Sequence, residues 1–157
     1  MADLLKDGTA LLTGAASGSF ISSKVPFVCV LVIWLTLAGI GRAAAVAFAR
    51  DGCTQLVLGD INITGLEETR RSIKEAHHNA VVEIIHLDVT DEASVERFHA
   101  EAVSKFGRID FAVNSVGYGH PATPIHNFPE KDWDLSYRVN QRGVGSVSFD
   151  CLIEMLL

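Results

Sequence analysis

Cysteine is scarce in this chain and poorly placed for chemistry. Cys29, Cys53 and Cys151 are odd in number and show no C-x-x-C spacing, so neither a disulfide framework nor a zinc site is expected from them. They read as reduced thiols in a cytoplasmic protein. Positive charge is also short: 13 Lys and Arg stand against 19 Asp and Glu, a formal net charge of -6. Without a basic face there is no electrostatic basis for nucleic-acid binding. The opening MADLLKDGT has two aspartates and no apolar run, so neither a secretory leader nor an Arg-rich transit segment is read there. The histidines, His77, His78, His86, His99, His120 and His126, fall at no metal-ligand spacing, and no metal is expected. Internal repeats and low-complexity linkers are missing as well, which leaves one domain over residues 1–157.

What is present is an alternation of short apolar runs with amphipathic stretches, the pattern of a parallel sheet covered by helices. Strands are expected at Thr9–Thr13, Gln55–Asp60, Ala80–Asp88 and Ile109–Ser115. Helices are expected at Ile40–Arg50, stopped by Gly52, at Thr64–Ala76 with Leu66, Ile73 and Ala76 inward, and at Thr90–Lys105. For the last, Thr90 is the expected N-cap, Ala93, Val95, Phe98, Ala102 and Val103 the packing face, and Gly107 the residue past the end. Asp91 and Glu92 read as charges favourable to that helix's dipole. A final helix from Glu130 onward is weakened by Gly143, Gly145, Ser146 and Ser148, with Trp133 expected to pack it. Four strands each followed by a helix make the N-terminal half of a doubly wound α/β sheet, strand order 3-2-1-4, whose ligands bind at the carboxyl ends of the strands.

Gly14, Gly18 and Gly41 would form G-x-x-x-G-x-G if Ser19 to Gly39 were removed, because TGAASG would then run into IGRAAA. Such glycines let the backbone approach a pyrophosphate whose charge is met by amides at a helix N-terminus. A turn and a small-residue helix that meet by chance are the plainer alternative. The intervening stretch is apolar, and Val25 to Gly41 is uncharged for seventeen residues. That reaches only the lower limit of the roughly 17 to 25 residues a spanning helix needs, and it contains Pro26 and Gly39; membrane insertion is not favoured. Asp60, closing the second strand, can accept hydrogen bonds from both hydroxyls of an adenosine ribose, although a strand-ending turn aspartate would look the same.

Together these residues resemble the short-chain dehydrogenase/reductases, a family with the Rossmann fold that binds NAD(P). Its TGxxxGxG loop is similar to Thr13 to Gly18 continued by Ile40 and Gly41, and its acidic residue after the second strand is similar to Asp60. The family's adenine-recognising pair matches Asp88 and Val89 in HLDVTD. Its NNAG motif resembles Asn114 to Gly117, with Ser115 and Val116 departing from the pattern, and the asparagine of its catalytic tetrad matches Asn140 in YRVNQRGV. The resemblance implies a cofactor set of Gly14, Ser17, Gly18, Ile40, Gly41, Asp60, Ile61, Asp88, Val89, Asn114 and Gly117. NAD is expected over NADP, because Asp60 would repel a 2'-phosphate, no Arg or Lys follows it in DINIT, and Ser17 is neutral.

The family moves hydride between NAD(H) and an alcohol or ketone, with a tyrosine as acid or base, a lysine four residues on and a serine on the preceding strand. Here Tyr118 and Tyr137 are followed at that spacing by Ala122 and Gln141, and the resemblance puts the serine and the Tyr-x-x-x-Lys pair past Leu157. The expectation is therefore an oxidoreductase-type chain that is incomplete and without turnover. A non-enzymatic dinucleotide-binding or interaction module, and a protein anchored in a membrane by residues 25–41, are the alternatives. Phe27, Val28, Val30, Leu31, Val32, Ile33, Trp34 and Leu35 would forfeit on the order of 10 to 20 kcal/mol if left wet, as much as the roughly 5 to 15 kcal/mol that stabilises a domain. Self-association and poor solubility are expected, aided by an unpaired fourth strand. The 19–39 insertion reads as foreign to the fold.

Overall fold

The computed structural model describes residues 5, 8–16, 39–119 and 123–156. Ser17, Gly18, most of the 19–39 insertion, most of the candidate span 25–41, His120 and Ala122 lie outside the described residues. Strand β1 (Thr9–Thr13) leads to helix α1 (Ile40–Arg50), then β2 (Gln55–Asp60), α2 (Ile63–Ala76), β3 (Val81–His86), α3 (Glu92–Phe106) and β4 (Phe111–Asn114). A short 3-10 turn at Ile125–Asn127 precedes α4 (Glu130–Tyr137), a π-helical segment at Arg138–Gly143 and α5 (Val144–Leu156). All neighbouring strands are parallel, in the order β3-β2-β1-β4. The expected fold class, strand order included, is the observed one.

Why β1 sits inside follows from its composition. TALLT is buried throughout, as a strand covered on both faces must be. Its side chains alternate: Ala10 and Leu12 join Ala45, Ala49, Leu56, Leu66 and Ile73 beneath α1 and α2. Leu11 joins Val57, Val95, Phe98, Ala102 and Val147 beneath α3 and α5. Two cores, one on each face, are what a doubly wound sheet requires.

Several boundaries move for identifiable reasons. Helix α3 starts at Glu92 with Asp91 at its N-cap, because the Thr90 hydroxyl is engaged by Asp88 Oδ1 at 2.7 Å. Asn62 caps α2 by accepting from Gly65 N at 3.1 Å, so that helix opens at Ile63, one residue early. Both β3 and β4 are shorter than expected. Ala76 and Ala93 are exposed, being in end turns with neighbours on one side only. Trp133 does not pack the last helix: it is 63 % exposed and meets the Phe128 ring edge-on, since α4 buries none of its residues. Among the described residues no helix is long and apolar enough to cross a membrane.

Helices α3 and α5 are joined by a polar contact inside the second core. His99 Nδ1 lies 2.9 Å from Val95 O and Nε2 3.1 Å from Cys151 Sγ. A carbonyl only accepts, so Nδ1 donates to Val95 O, with the Asp150 carboxylate 3.7 Å away, and Nε2 faces the Cys151 thiol. Burial pushes the Cys151 thiol up from 9.0 to about 12, and the Asp150 carboxylate adds to the shift. A thiol raised in the folded state contributes stability that is complete below its unfolded pKa and is lost as pH rises through the folded one. Alkaline titration followed by circular dichroism is therefore expected to lose stability between about pH 9 and about pH 12, with a smaller loss in Cys151→Ser, whose hydroxyl keeps the bond to His99 and does not ionise there.

Candidate functional site

Because the strands are parallel and in register, Thr13, Gly59 and Asn114 are direct neighbours at one edge of the sheet. Asp60 and His86 pair beside them, with Asp88 two residues further on. Of the residues singled out in the sequence, Gly14, Asp60, Asp88 and Asn114 lie along this edge.

Gly14 turns the chain out of β1 with φ +68, and a Cβ there would stand 2.7 Å from the Ser115 carbonyl. Its own N–H donates to Gly59 O at 2.9 Å. Gly41 is buried in the first turn of α1, where a Cβ would lie 2.3 Å from Gly14 O. Helix and turn can approach this closely only with hydrogen at Gly41, and the turn can approach the Ser115–Val116 backbone only with hydrogen at Gly14. Gly39 stands at the N-cap of α1 with φ 145 and, among the described residues, no side chain caps the helix; the first turn of α1 carries the positive end of the helix dipole. Ile40 is exposed beside them.

The Asp60 carboxylate spans the mouth of this turn. Oδ2 accepts from Ala16 N at 3.2 Å and Oδ1 from Asn62 N at 3.0 Å. Ile61 follows, exposed. Asp88 Oδ1 accepts from the Thr90 hydroxyl at 2.7 Å and Thr90 N at 2.8 Å. The Thr90 hydroxyl bond is the largest cause holding the Asp88 carboxyl below the usual range, with the charges of Arg138 and His86 assisting. Val89 is buried next to it, against Gly143, where a Cβ would lie 2.7 Å from Val89 Cγ2. That close approach gives the glycine expected to weaken the last helix a packing reason.

Asn114 ties β4 to its neighbours: Oδ1 accepts from the Thr13 hydroxyl at 3.2 Å and Nδ2 donates to Ser148 Oγ at 2.9 Å. Asn140 closes the loop beyond β4. Its Oδ1 accepts from Tyr118 N at 2.7 Å while its Nδ2 donates to Tyr118 O at 2.9 Å and to Ser136 Oγ at 3.1 Å. A Cβ on Gly117 would stand 3.6 Å from Asn140 Oδ1, so these two are brought together. The π-helical segment carries Asn140 in its first turn. Among the described residues no group of three His, Cys, Asp or Glu could hold a metal.

Two residues at this edge were not singled out by the sequence reading. The Arg42 guanidinium donates to Thr69 Oγ1 at 2.9 Å, Ala16 O at 2.9 Å, Gly65 O at 3.1 Å and Glu68 Oε2 at 3.1 Å. Thr69, fully buried, donates its hydroxyl to Ala15 O at 2.8 Å. The available signal was a lone cation in the alanine-rich start of α1, where IGRAAAVAFA has no other charge.

The residues present fit a dinucleotide: hydrogen at Gly41 lets the start of α1 close on the Gly14 turn, the first turn of α1 brings the positive end of its dipole there, and Asp60 offers acceptors to a ribose diol. The family model described as Enoyl-(Acyl carrier protein) reductase matches residues 35–155. Levodione reductase of Leifsonia aquatica is 36% identical over 107 residues, 68% of this chain and 40% of the relative. A crystal structure of levodione reductase aligns with a TM-score of 0.79 and 30% identity, covering 96% of this chain and 50% of that one. An alcohol dehydrogenase from Thermococcus sibiricus, solved in complex with 5-hydroxy-NADP, aligns with a TM-score of 0.74 and 28% identity over 94% of this chain and 52% of its own. The chain thus spans about half the length of the solved relatives and 40% of that curated one.

Proposed function

The chain belongs to the short-chain dehydrogenase/reductase family, and from that membership we propose that residues 1–157 form one incomplete Rossmann domain that seats NAD(H). The observation that carries the proposal is the setting of Asp60. Each of its carboxylate oxygens accepts one backbone N–H, which leaves each a further lone pair for one ribose hydroxyl. In this reading Gly14, Ser17, Gly18, Ile40 and Gly41 receive the pyrophosphate, Asp60 and Ile61 the adenosine ribose, and Asp88 and Val89 the adenine. Asn114 and Gly117 line the wall toward the reacting end, and Asn140 is the one member of the catalytic tetrad in the chain. Bound there, the nicotinamide ring supplies or accepts the hydride exchanged with an alcohol or ketone.

NAD is preferred to NADP because a carboxylate at the ribose repels a 2'-phosphate, whereas the Thermococcus protein is titled with an NADP derivative. Neither Tyr118 nor Tyr137 has a lysine four residues on, so nothing in these residues supplies the acid and base of the reaction. Exposed Phe149, Leu152 and Ile153 on α5, beside the edge strand β4, support self-association; the buried free thiols Cys53 and Cys151 support a reducing, cytoplasmic setting.

Calorimetric titration tests the reading. The expected result is NADH binding with NADPH at least about tenfold weaker, a difference of about 1.4 kcal/mol, and no oxidation of NADH on addition of alcohols or ketones. NADPH binding as tightly as NADH would remove Asp60 from the ribose, and sustained turnover by the 157-residue chain would overturn the inactive reading.

A further inference from the structure

Asp60 does not hold its position alone. A continuous line of hydrogen bonds runs to it from the far side of the glycine turn. Arg42 Nε donates to Thr69 Oγ1 at 2.9 Å. The Thr69 hydroxyl donates to Ala15 O at 2.8 Å. Ala15 C=O and Ala16 N–H belong to the same peptide unit, and Ala16 N donates to Asp60 Oδ2 at 3.2 Å.

The line begins on a cation and ends on an anion, with one hydroxyl and one peptide between. Bonds in such a series polarise each other in the same sense: a guanidinium sharpens the hydroxyl as a donor, the hydroxyl draws charge onto the carbonyl, and the amide becomes a better donor to the carboxylate. The Thr69 proton has an alternative acceptor in Gly65 O at 3.0 Å. That carbonyl already receives Arg42 at 3.1 Å, and the contact to Ala15 O is the shorter, so the line is the better use of the proton. A second Arg42 bond, to Ala16 O at 2.9 Å, fixes the next peptide, so the cation holds the turn at two successive carbonyls.

The surroundings leave little room for another arrangement. Gly65 lies against Ala16 so tightly that a Cβ would come within 2.2 Å of Ala16 O. Thr69 is fully buried, and no buried side-chain nitrogen or oxygen among the described residues is without a partner. A buried hydroxyl between a guanidinium and a carbonyl costs more to remove than it contributes when present, because both partners are then left without it.

We infer that Arg42 and Thr69 are positioning residues for the Asp60 carboxylate, acting through the Ala15–Ala16 peptide to hold it in the ribose-accepting geometry and so setting the preference for NADH over NADPH. The inference rests on the proposed dinucleotide seat. The role is specific: a carboxylate allowed to swing loses its two-hydroxyl grip on an unmodified ribose, while a 2'-phosphate gains from its departure. A merely structural Thr69 would weaken both cofactors alike.

Thr69→Val removes the hydroxyl at nearly constant volume, and Thr69→Ser keeps it. In the cofactor-free chain, amide exchange by NMR is expected to speed up at Ala16 by at least tenfold in Thr69→Val relative to Leu11 and Leu12 of β1, which report folding, and to stay near the unsubstituted rate in Thr69→Ser. In titrations, NADH affinity is expected to fall about tenfold in Thr69→Val and in Arg42→Gln with NADPH affinity nearly unchanged, so that the preference collapses, and to be retained in Thr69→Ser. Exchange at Ala16 rising no more than in β1, or equal losses for both cofactors, would overturn the inference. No NADH binding by the unsubstituted chain, with the exchange results as expected, would instead overturn the dinucleotide reading and its preference while the hydrogen-bond line stands.

Discussion

Replacing Gly41 by alanine is expected to lower NADH affinity on the order of a hundredfold and the thermal midpoint by several degrees, the loss coming from one methyl group. That methyl would stand 2.3 Å from Gly14 O, 2.7 Å from Gly14 C and 3.0 Å from Thr13 O. All three are backbone atoms, so no side chain can rotate aside; either α1 lifts from the turn or the turn shifts under it. Forcing a methyl into a closed contact costs about 1 to 3 kcal/mol, and each kcal/mol moves the midpoint by about 2 to 4 °C in a chain of this size. Binding suffers more than stability, because the first-turn amides of α1 and the Gly14 turn must converge on one ligand, and a loss of about 2.8 kcal/mol from contacts pulled apart there is a hundredfold in affinity. Gly145→Ala provides the control. It lies in α5 with nothing within 4 Å of its would-be Cβ, and alanine in a helix interior is favoured over glycine by about 1 kcal/mol. The midpoint is expected to rise there and fall at Gly41, as differential scanning fluorimetry would show. Shifts of the same sign at both would mean that Gly41 is not pressed against the turn.

That contrast also marks what the sequence could reveal. Strands β1 and β2 and helix α1 were legible to the residue, because TALLT, QLVLGD and IGRAAAVAFAR are short, uniform in pattern and bounded by charge, Gly or Pro-free turns. The strand order was expected from the Rossmann-like class to which the alternation and the resemblance point. Where side chains compete for backbone groups, the reading failed by a turn or less. Thr90 looked like a helix cap and instead serves Asp88; Asn62 was passed over and caps α2. The close approach behind Gly143 depends on Val89, more than fifty positions away in sequence, and no local pattern could reveal it. The same holds for Arg42 and Thr69, whose importance lies in contacts to the Ala15–Ala16 peptide. Composition shows which residues can accept or donate; only the folded register shows to whom.

Deleting Ser19 to Gly39 is expected to raise NADH affinity at least tenfold and to raise soluble yield. The reasoning starts from the residues that flank the deletion. Arg42 already donates to Ala16 O at 2.9 Å, and Gly41 already touches the Gly14 turn, so the two ends to be joined are neighbours. Ser17 and Gly18 would bridge them, and two residues can reach across roughly 10 Å. Gly18 would then take the N-cap place of α1, now held by Gly39 at φ 145, a glycine in exchange for a glycine where a side chain would be strained. Shortening the connection is nearly neutral for closure entropy, which changes only slowly with loop length, so stability should not oppose the change. What is removed is the run from Phe27 to Leu35, whose burial is worth on the order of 10 kcal/mol and which is expected on its composition to favour association between chains. Titration of the two forms side by side with NADH, and sedimentation of each, would check both halves of the expectation. Equal or weaker binding by the shortened chain would show the segment to be a working part of the site, and equal sedimentation would show that the segment does not drive association.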